Sequence, residues 1–182
     1  MRPLIAVATA LFAVGCGAHY NFVRKADPNP FAGKTKFHIV APDFGKATVE
    51  GATLADWQGK DSQAKDWSDN SAAAAQAFLD EVNQKKGDLA ITTTGSPAED
   101  EVLVVPAVES FVPGFYIGIS ARPTTVVLHG TLFQGTEPAD EVVFQNDVKA
   151  NLYNPTFTSR LAADMRTLAD QVVEYLRWRS AK

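Results

Sequence analysis

Two stretches of this chain repeat apolar residues at spacings of three and four, and three segments with alternating apolar and polar residues lie between them. In the first stretch, Asp61 to Lys86, the residues Ala64, Trp67, Ser71, Ala74, Ala75, Phe78 and Val82 form one stripe. In the second, capped at Thr158 or Ser159 and running to about Arg179, the stripe is Leu161, Met165, Leu168, Val172, Tyr175 and Leu176. A helix with a single apolar stripe has to bury it against another layer, so the sequence calls for two long helices on one face of a sheet. Lys85 and Lys86 near the end of the first helix, and Arg177 and Arg179 near the end of the second, suit the negative end of a helix dipole.

The strands follow from alternation. Lys36 to Phe44 is the first, with Phe37, Ile39 and Ala41 on one face. Leu89 to Thr94 is the second. Glu101 to Phe111 is the third, and Pro106 within it calls for an edge position or a bulge. Thr124 to Phe133 is the fourth. Glu141 to Tyr153 is the fifth, where Val142, Phe144, Val148, Ala150 and Leu152 alternate with polar residues, as in a strand with one buried and one wet face. A short helical turn fits Leu54 to Trp57. The expected fold is α+β: one mixed, mostly antiparallel sheet of about five strands with two long helices packed on one face, in the order β-α-β-β-β-α. The helix between the first two strands makes that pair parallel if it forms a crossover.

The chain has a single cysteine, Cys16, so no internal disulfide can form and packing has to hold the body together. Its position is informative. Met1 to Gly17 has one basic residue, Arg2, then an apolar run of about 11 residues from Leu4 to Val14, then small residues. Spanning a bilayer takes about 20 apolar residues, so the run has the length of a secretory signal instead. No later run is long and apolar enough to cross. The net charge of −4 argues against a general nucleic-acid binder, which needs a basic field for phosphate.

Ala13-Val14-Gly15-Cys16 resembles the lipobox of bacterial lipoproteins, with Ala where Leu is commoner at the first position. The resemblance implies a signal peptide over residues 1–15 and lipidation of Cys16. Two or more acyl chains make a stable anchor. It further implies a tether over 16–35, rich in Pro and containing Tyr20, Phe22, Val23 and Phe31, and a globular domain over 36–182. Gly17 after the cysteine, rather than Asp, favours the outer membrane under the sorting rule of some enterobacterial lipoproteins, with the body facing the periplasm. The order of elements resembles lipoproteins related to the curli-secretion lipoprotein and the TolB N-terminal domain. Pro113-Gly114-Phe115-Tyr116 is similar to a loop in uncharacterised Gram-negative lipoproteins. These likenesses carry no functional residues to this chain.

The chemistry-bearing residues form no recognisable constellation. His19, His38 and His129 have no metal-ligand spacing, so no metal and no cofactor is expected. Gly33-Lys34-Thr35 lacks the upstream glycine of a phosphate loop, and Gly118 to Arg122 lacks the last glycine of a nucleophile elbow. Glu99 to Glu101 reads as a solvated turn. Asp43, at the end of the first strand, has no partner in sequence. The chain is therefore expected not to be an enzyme. The stretch that stands out is Phe111 to Ile119. It packs under the helices, or else Phe111, Phe115, Tyr116 and Ile117 form an apolar contact surface for an envelope partner or a membrane; Trp178 poses the same question. Two roles follow: a non-enzymatic partner-binding or envelope-assembly component, or a carrier of an apolar ligand in a cleft lined by Phe78, Val82 and Tyr175.

Overall fold

The structure, a computed structural model, describes residues 20–60 and 64–181. The signal-peptide reading of 1–15, the lipidation reading of Cys16 and the residue His19 lie outside the described residues. The strands are β1 (Tyr20–Arg24), β2 (Lys36–Ile39), β3 (Thr48–Val49), β4 (Ala52–Thr53), β5 (Ala90–Thr92), β6 (Val102–Val112), β7 (Phe115–Tyr116), β8 (Ala121–Arg122), β9 (Thr124–Gln134) and β10 (Glu137–Val148). The helices are α1 (Leu54–Gln58), α2 (Trp67–Lys85) and α3 (Phe157–Ser180).

The fold is the α+β arrangement that the two stripes require. The main sheet runs β1-β10-β9-β6-β2-β5, with β3 pairing to both β6 and β4. β6, β9 and β10 form the antiparallel meander. β2 pairs in parallel with both β5 and β6, as a crossover through α2 demands. The stripe of α3 is fully buried from Leu161 to Leu176, and Phe78 and Val82 of α2 join it over Phe37, Ile39, Val104, Val126, Leu128 and Phe144 of the sheet. The N-cap of α3 is Thr156, whose hydroxyl accepts from the Ser159 amide at 3.1 Å. That is two or three residues earlier than the sequence suggests, with the Thr156 hydroxyl taking the capping role.

The structure departs from the expected strand count and tether, and it decides between edge and bulge at Pro106. The sheet has more strands than five: β3 and β4 are two residues each, too short to show periodicity, and β1 falls in the Pro-rich stretch read as a tether. The stretch 16–35, read as a tether with too many apolar groups for an inert linker, is built into the body over its described part. Tyr20–Arg24 is an edge strand on β10, and Phe31 is in the core. Tyr20 and Phe22 pack edge-on or tilted against Tyr175 and Trp178, which explains why this stretch has so many rings. Pro106 is in a central strand, and of the two expectations, edge or bulge, the bulge is the one that forms. Its carbonyl accepts from the Asp43 amide at 3.1 Å, while the Val104 carbonyl accepts from Val40 at 3.2 Å. Two residues of β6 are thus matched by three after β2, and the extra residue falls opposite the proline, which has no N–H to offer.

The N-terminal stretch is held by one buried cluster. Asp140 accepts two bonds from Arg179, Nε to Oδ2 at 2.6 Å and Nη2 to Oδ1 at 2.9 Å. It also accepts from the Tyr175 hydroxyl at 2.5 Å and the Ala26 amide at 2.8 Å. Arg179 Nη2 donates onward to the Ala26 carbonyl, and Asn29 donates to the Arg179 carbonyl. Burial, and then the bond to Asp140, pushes the Tyr175 phenol well above its usual range.

Phe78→Ala is expected to lower stability by about 3–5 kcal/mol, because the ring is fully buried between α2, α3 and the sheet. The urea midpoint measures it, and an unchanged midpoint would mean that the ring is not core.

Candidate functional site

The sequence stretch that stood out divides at Gly114. On its N-terminal side the chain goes into the core. Phe111 is 1% exposed and stacks on Trp67 at 4.9 Å and on Phe157 at 5.8 Å, with Trp57 edge-on at 5.3 Å. Phe111 is therefore not a partner contact: as the last inward residue of β6 after the bulge at Val108/Ser110, it fills the space where α1, α2 and α3 meet. Trp178 is half-buried at the other end of α3, against Tyr20, Phe22 and Tyr175, with the Lys25 ammonium 4.9 Å from its ring.

On the C-terminal side of Gly114 the chain leaves the body as a hairpin. Phe115 pairs with Arg122 and Tyr116 with Ala121, and the Ile117 amide donates to the Ser120 carbonyl at 3.0 Å to close the turn. Gly114 is required at the root: its φ is +61°, and a Cβ there would lie 2.4 Å from the Pro123 carbonyl oxygen. Exposure rises toward the tip, from 41% at Phe115 to 68% at Ile117 and 100% at Ile119; Tyr116 is half-buried.

A buried arginine fixes that root. Arg160, on the first turn of α3, donates from Nε to Thr124 Oγ1 at 2.7 Å and from Nη2 to the Pro113 carbonyl at 3.1 Å. Its Nη1 reaches the carbonyls of Asn154 and Pro155 at 3.2 and 2.7 Å. Thr124 Oγ1 in turn donates to Pro113 at 2.8 Å. One guanidinium thus ties the hairpin to the loop after β10, where Leu152 is 78% and Tyr153 92% exposed. The sequence placed Leu152 in a strand. β10 stops at Val148 instead, and the Asn151 side chain caps a turn through the amides of Tyr153 and Asn154. Asn154-Pro155 was the legible signal for that turn; Arg160 had none, since a basic residue on a helix normally faces water.

Near Arg160, one turn on, Asp164 is fully buried. Burial raises its carboxyl to about 8, although the Asn146 amide donates to Oδ1 at 2.7 Å and favours the charged form. Its Oδ2 has no partner among the described residues.

Of the remaining candidates, His38 and Glu101 come together: Glu101 Oε2 lies 3.7 Å from His38 Nδ1 and its Oε1 accepts from Thr92 Oγ1 at 2.8 Å, so Glu101 is drawn in from the turn that the sequence reads as solvated. His38 is buried and bonds Thr92 Oγ1 at 2.9 Å. Asp43 accepts from the Gly45 amide at 2.8 Å and borders an open cleft of about 440 Å³ with Trp67, Ser68 and Ser71. His129 lies on the helix-free face of the sheet, 2.8 Å from Glu109 Oε1 and 3.5 Å from Glu141 Oε2. Around it on that face are half-buried Leu103, Val105, Ala107, Val127 and Val143. Among the described residues no group of three His, Cys, Asp or Glu could hold a metal ion. The cleft named for an apolar ligand is closed: Phe78, Val82 and Tyr175 are packed in the core.

No protein-family model and no curated protein matches this sequence. Among solved structures, the chain is similar to a dodecamer of PelC from Paraburkholderia phytofirmans, at 10% identity and TM-score 0.45, over 84% of this chain and 96% of that one. A substituted form of the same dodecamer gives 11% and 0.45, over 84% and 95%. A Xanthomonas campestris protein of the DUF330 family gives 14% and 0.43, over 87% and 90%. Likeness at this level carries no argument about function.

Arg160→Met is expected to lower stability by about 1–3 kcal/mol, because it leaves the buried Pro113 carbonyl without its guanidinium donor. Limited proteolysis should then cut faster within 115–122, and an unaltered cleavage rate would show that the hairpin holds without it. Asp164 generates a pH effect. An unfolded Asp titrates near ~3.9, so between there and about 8 the folded chain holds a proton that the unfolded chain has lost. Its stabilisation is complete below the unfolded value and is lost as pH rises through the folded one. Asp164→Asn is expected to flatten that decline, read from urea midpoints at about pH 5 and about pH 8.5; an equally steep decline in the variant would place the proton elsewhere.

Proposed function

We infer that this protein is a non-enzymatic component of a Gram-negative cell envelope, anchored in the outer membrane through acylated Cys16, with its body in the periplasm and a protein partner bound to that body. The observation that carries the partner-binding half is the helix-free face of the sheet. Three neighbouring strands, β6, β9 and β10, present Leu103, Val105, Ala107, Val127 and Val143 there, and no layer of described residues covers them. A flat, half-exposed apolar surface of β-branched side chains suits a protein surface better than a small molecule. The His129 pairings with Glu109 and Glu141 put one polar group at its centre, where it would set register and specificity. The anchor half is supported by the lipobox-like Ala13-Val14-Gly15-Cys16.

Two measurements test the two halves. Labelled palmitate should enter the wild-type chain and not Cys16→Ser, because a hydroxyl cannot replace the thiol of the thioether. Recovery of the acylated protein from solubilised membranes should bring a stoichiometric protein partner, and Val105→Asp should weaken that recovery without changing the melting temperature. Label in the Ser variant would remove the anchor; repeated recovery of the wild-type protein alone would remove the partner.

A further inference from the structure

We propose that the end of the molecule held together by Arg160 is a membrane-docking surface, with the tips of the β7–β8 hairpin and of the loop after β10 inserted into the periplasm-facing leaflet of the lipid bilayer. This rests on the lipid-anchor reading above and adds to it a second, independent point of contact.

The first support is chemical. Phe115, Ile117, Ile119, Leu152 and Tyr153 are five of the seven large apolar side chains left exposed among the described residues. They belong to two loops joined through one guanidinium. Residues 115–121 contain no charge, and neither do residues 150–156. The charges at the bases of the two loops are Arg122, which is paired with Glu50, and Lys149, two residues after Asp147, so the charge-free tips stand clear of a base of mixed sign. Charge-free apolar tips complement the hydrocarbon layer of a bilayer. Exposure is greatest at the tips themselves, 100% at Ile119 and 92% at Tyr153, as suits side chains that enter a fluid hydrocarbon layer.

The second support is the direction of the chain. β1 is antiparallel to β10, with Tyr20 opposite Phe144 and Arg24 opposite Glu141. The end of β1 at Tyr20 therefore points along the sheet toward Val148. Val148 pairs with Thr124, and Thr125 with Val112, so that is the end where the hairpin and the loop leave the sheet. Cys16 precedes Tyr20 by four residues, the same number that separate Phe144 from Val148. Four residues span at most ~14 Å, enough to bring an acylated Cys16 to the level of the loops but too few to let the body turn freely away from the membrane. The chain from Tyr20 is thus long enough for the anchor to engage the same bilayer as the tips, which leaves the helix-free sheet face lateral to the bilayer and open to a partner.

The test uses the full chain in membranes from expressing cells. Acylation consumes the thiol of Cys16, so Ile119→Cys or Leu152→Cys supplies the one free thiol for a nitroxide label, with Thr136→Cys in the β9–β10 turn as the control at the far end. All three sites are exposed, so labelling leaves the core intact. The expected result is a ratio of oxygen to nickel-chelate collisions that is higher at 119 and 152 than at 136, as for a probe within hydrocarbon. Equal, aqueous ratios at all three sites in a chain that takes up palmitate would overturn the docking surface and leave the anchor standing. Low collision with both reagents at 119 and 152 would overturn it in favour of a protein contact. A chain that takes up no palmitate and stays out of the membrane fraction would overturn both readings.

Discussion

The structure depends on α3 carrying a buried guanidinium near each end. Arg160 and Arg179 are roughly 28 Å apart along the helix, and each gathers segments that the apolar stripe cannot reach. At the C-terminal end the bidentate pair with Asp140 is fully buried, and each carboxylate oxygen has a second donor, from Tyr175 or from Ala26. Such a pair is tolerated only because every charge is matched. Losing one partner of a buried pair leaves the other uncompensated, typically at about 3–5 kcal/mol. The same cluster, through Ala26 and Asn29, draws the first described residues of the chain into the body. A stretch with two prolines and no periodicity becomes structure because it has a buried charge to cover.

At the N-terminal end the logic differs. Arg160 has no bidentate carboxylate. It neutralises carbonyl dipoles and a hydroxyl where four pieces of chain converge, and burial pulls its pKa below the usual range, opposed by the nearby Asp164. A lysine could not reproduce this, since a single ammonium cannot present the planar fork that meets Thr124, Pro113 and Pro155 at once. Root rigidity matters functionally: an apolar tip on a fixed stem presents the same surface at every encounter, whereas a tip on a loose loop would collapse onto the nearest apolar neighbour.

The sheet separates two kinds of surface. One face takes both long helices and supplies the core. The other keeps short branched side chains half-exposed, with His129 between two carboxylates. The bulge opposite Pro106 lets β6 serve both: a proline in a central strand removes one ladder bond, and the extra residue before Asp43 falls where that bond would have been. β6 therefore continues to Phe111, whose ring closes the aromatic cluster under Trp57, Trp67 and Phe157.

The sequence by itself determined the α+β class, the two helices and a mostly antiparallel sheet, with the first two strands parallel only on the condition of a crossover. All of these follow from local periodicity and from the need to bury one face of each element. It also marked the 111–119 stretch as unusual. It could not assign that stretch, because Phe111 and Phe115 are four residues apart in the same apolar run and differ only in which side of Gly114 they occupy. Nor could it find Arg160, Asp140 or Arg179 as buried groups. Their burial depends on partners 36 to 39 residues away, Thr124 for Arg160 and Asp140 for Arg179, and on carbonyls as distant as that of Ala26. Only the tertiary structure decided those pairings, since a charged side chain can be buried only where the folded chain has already assembled every group that satisfies it.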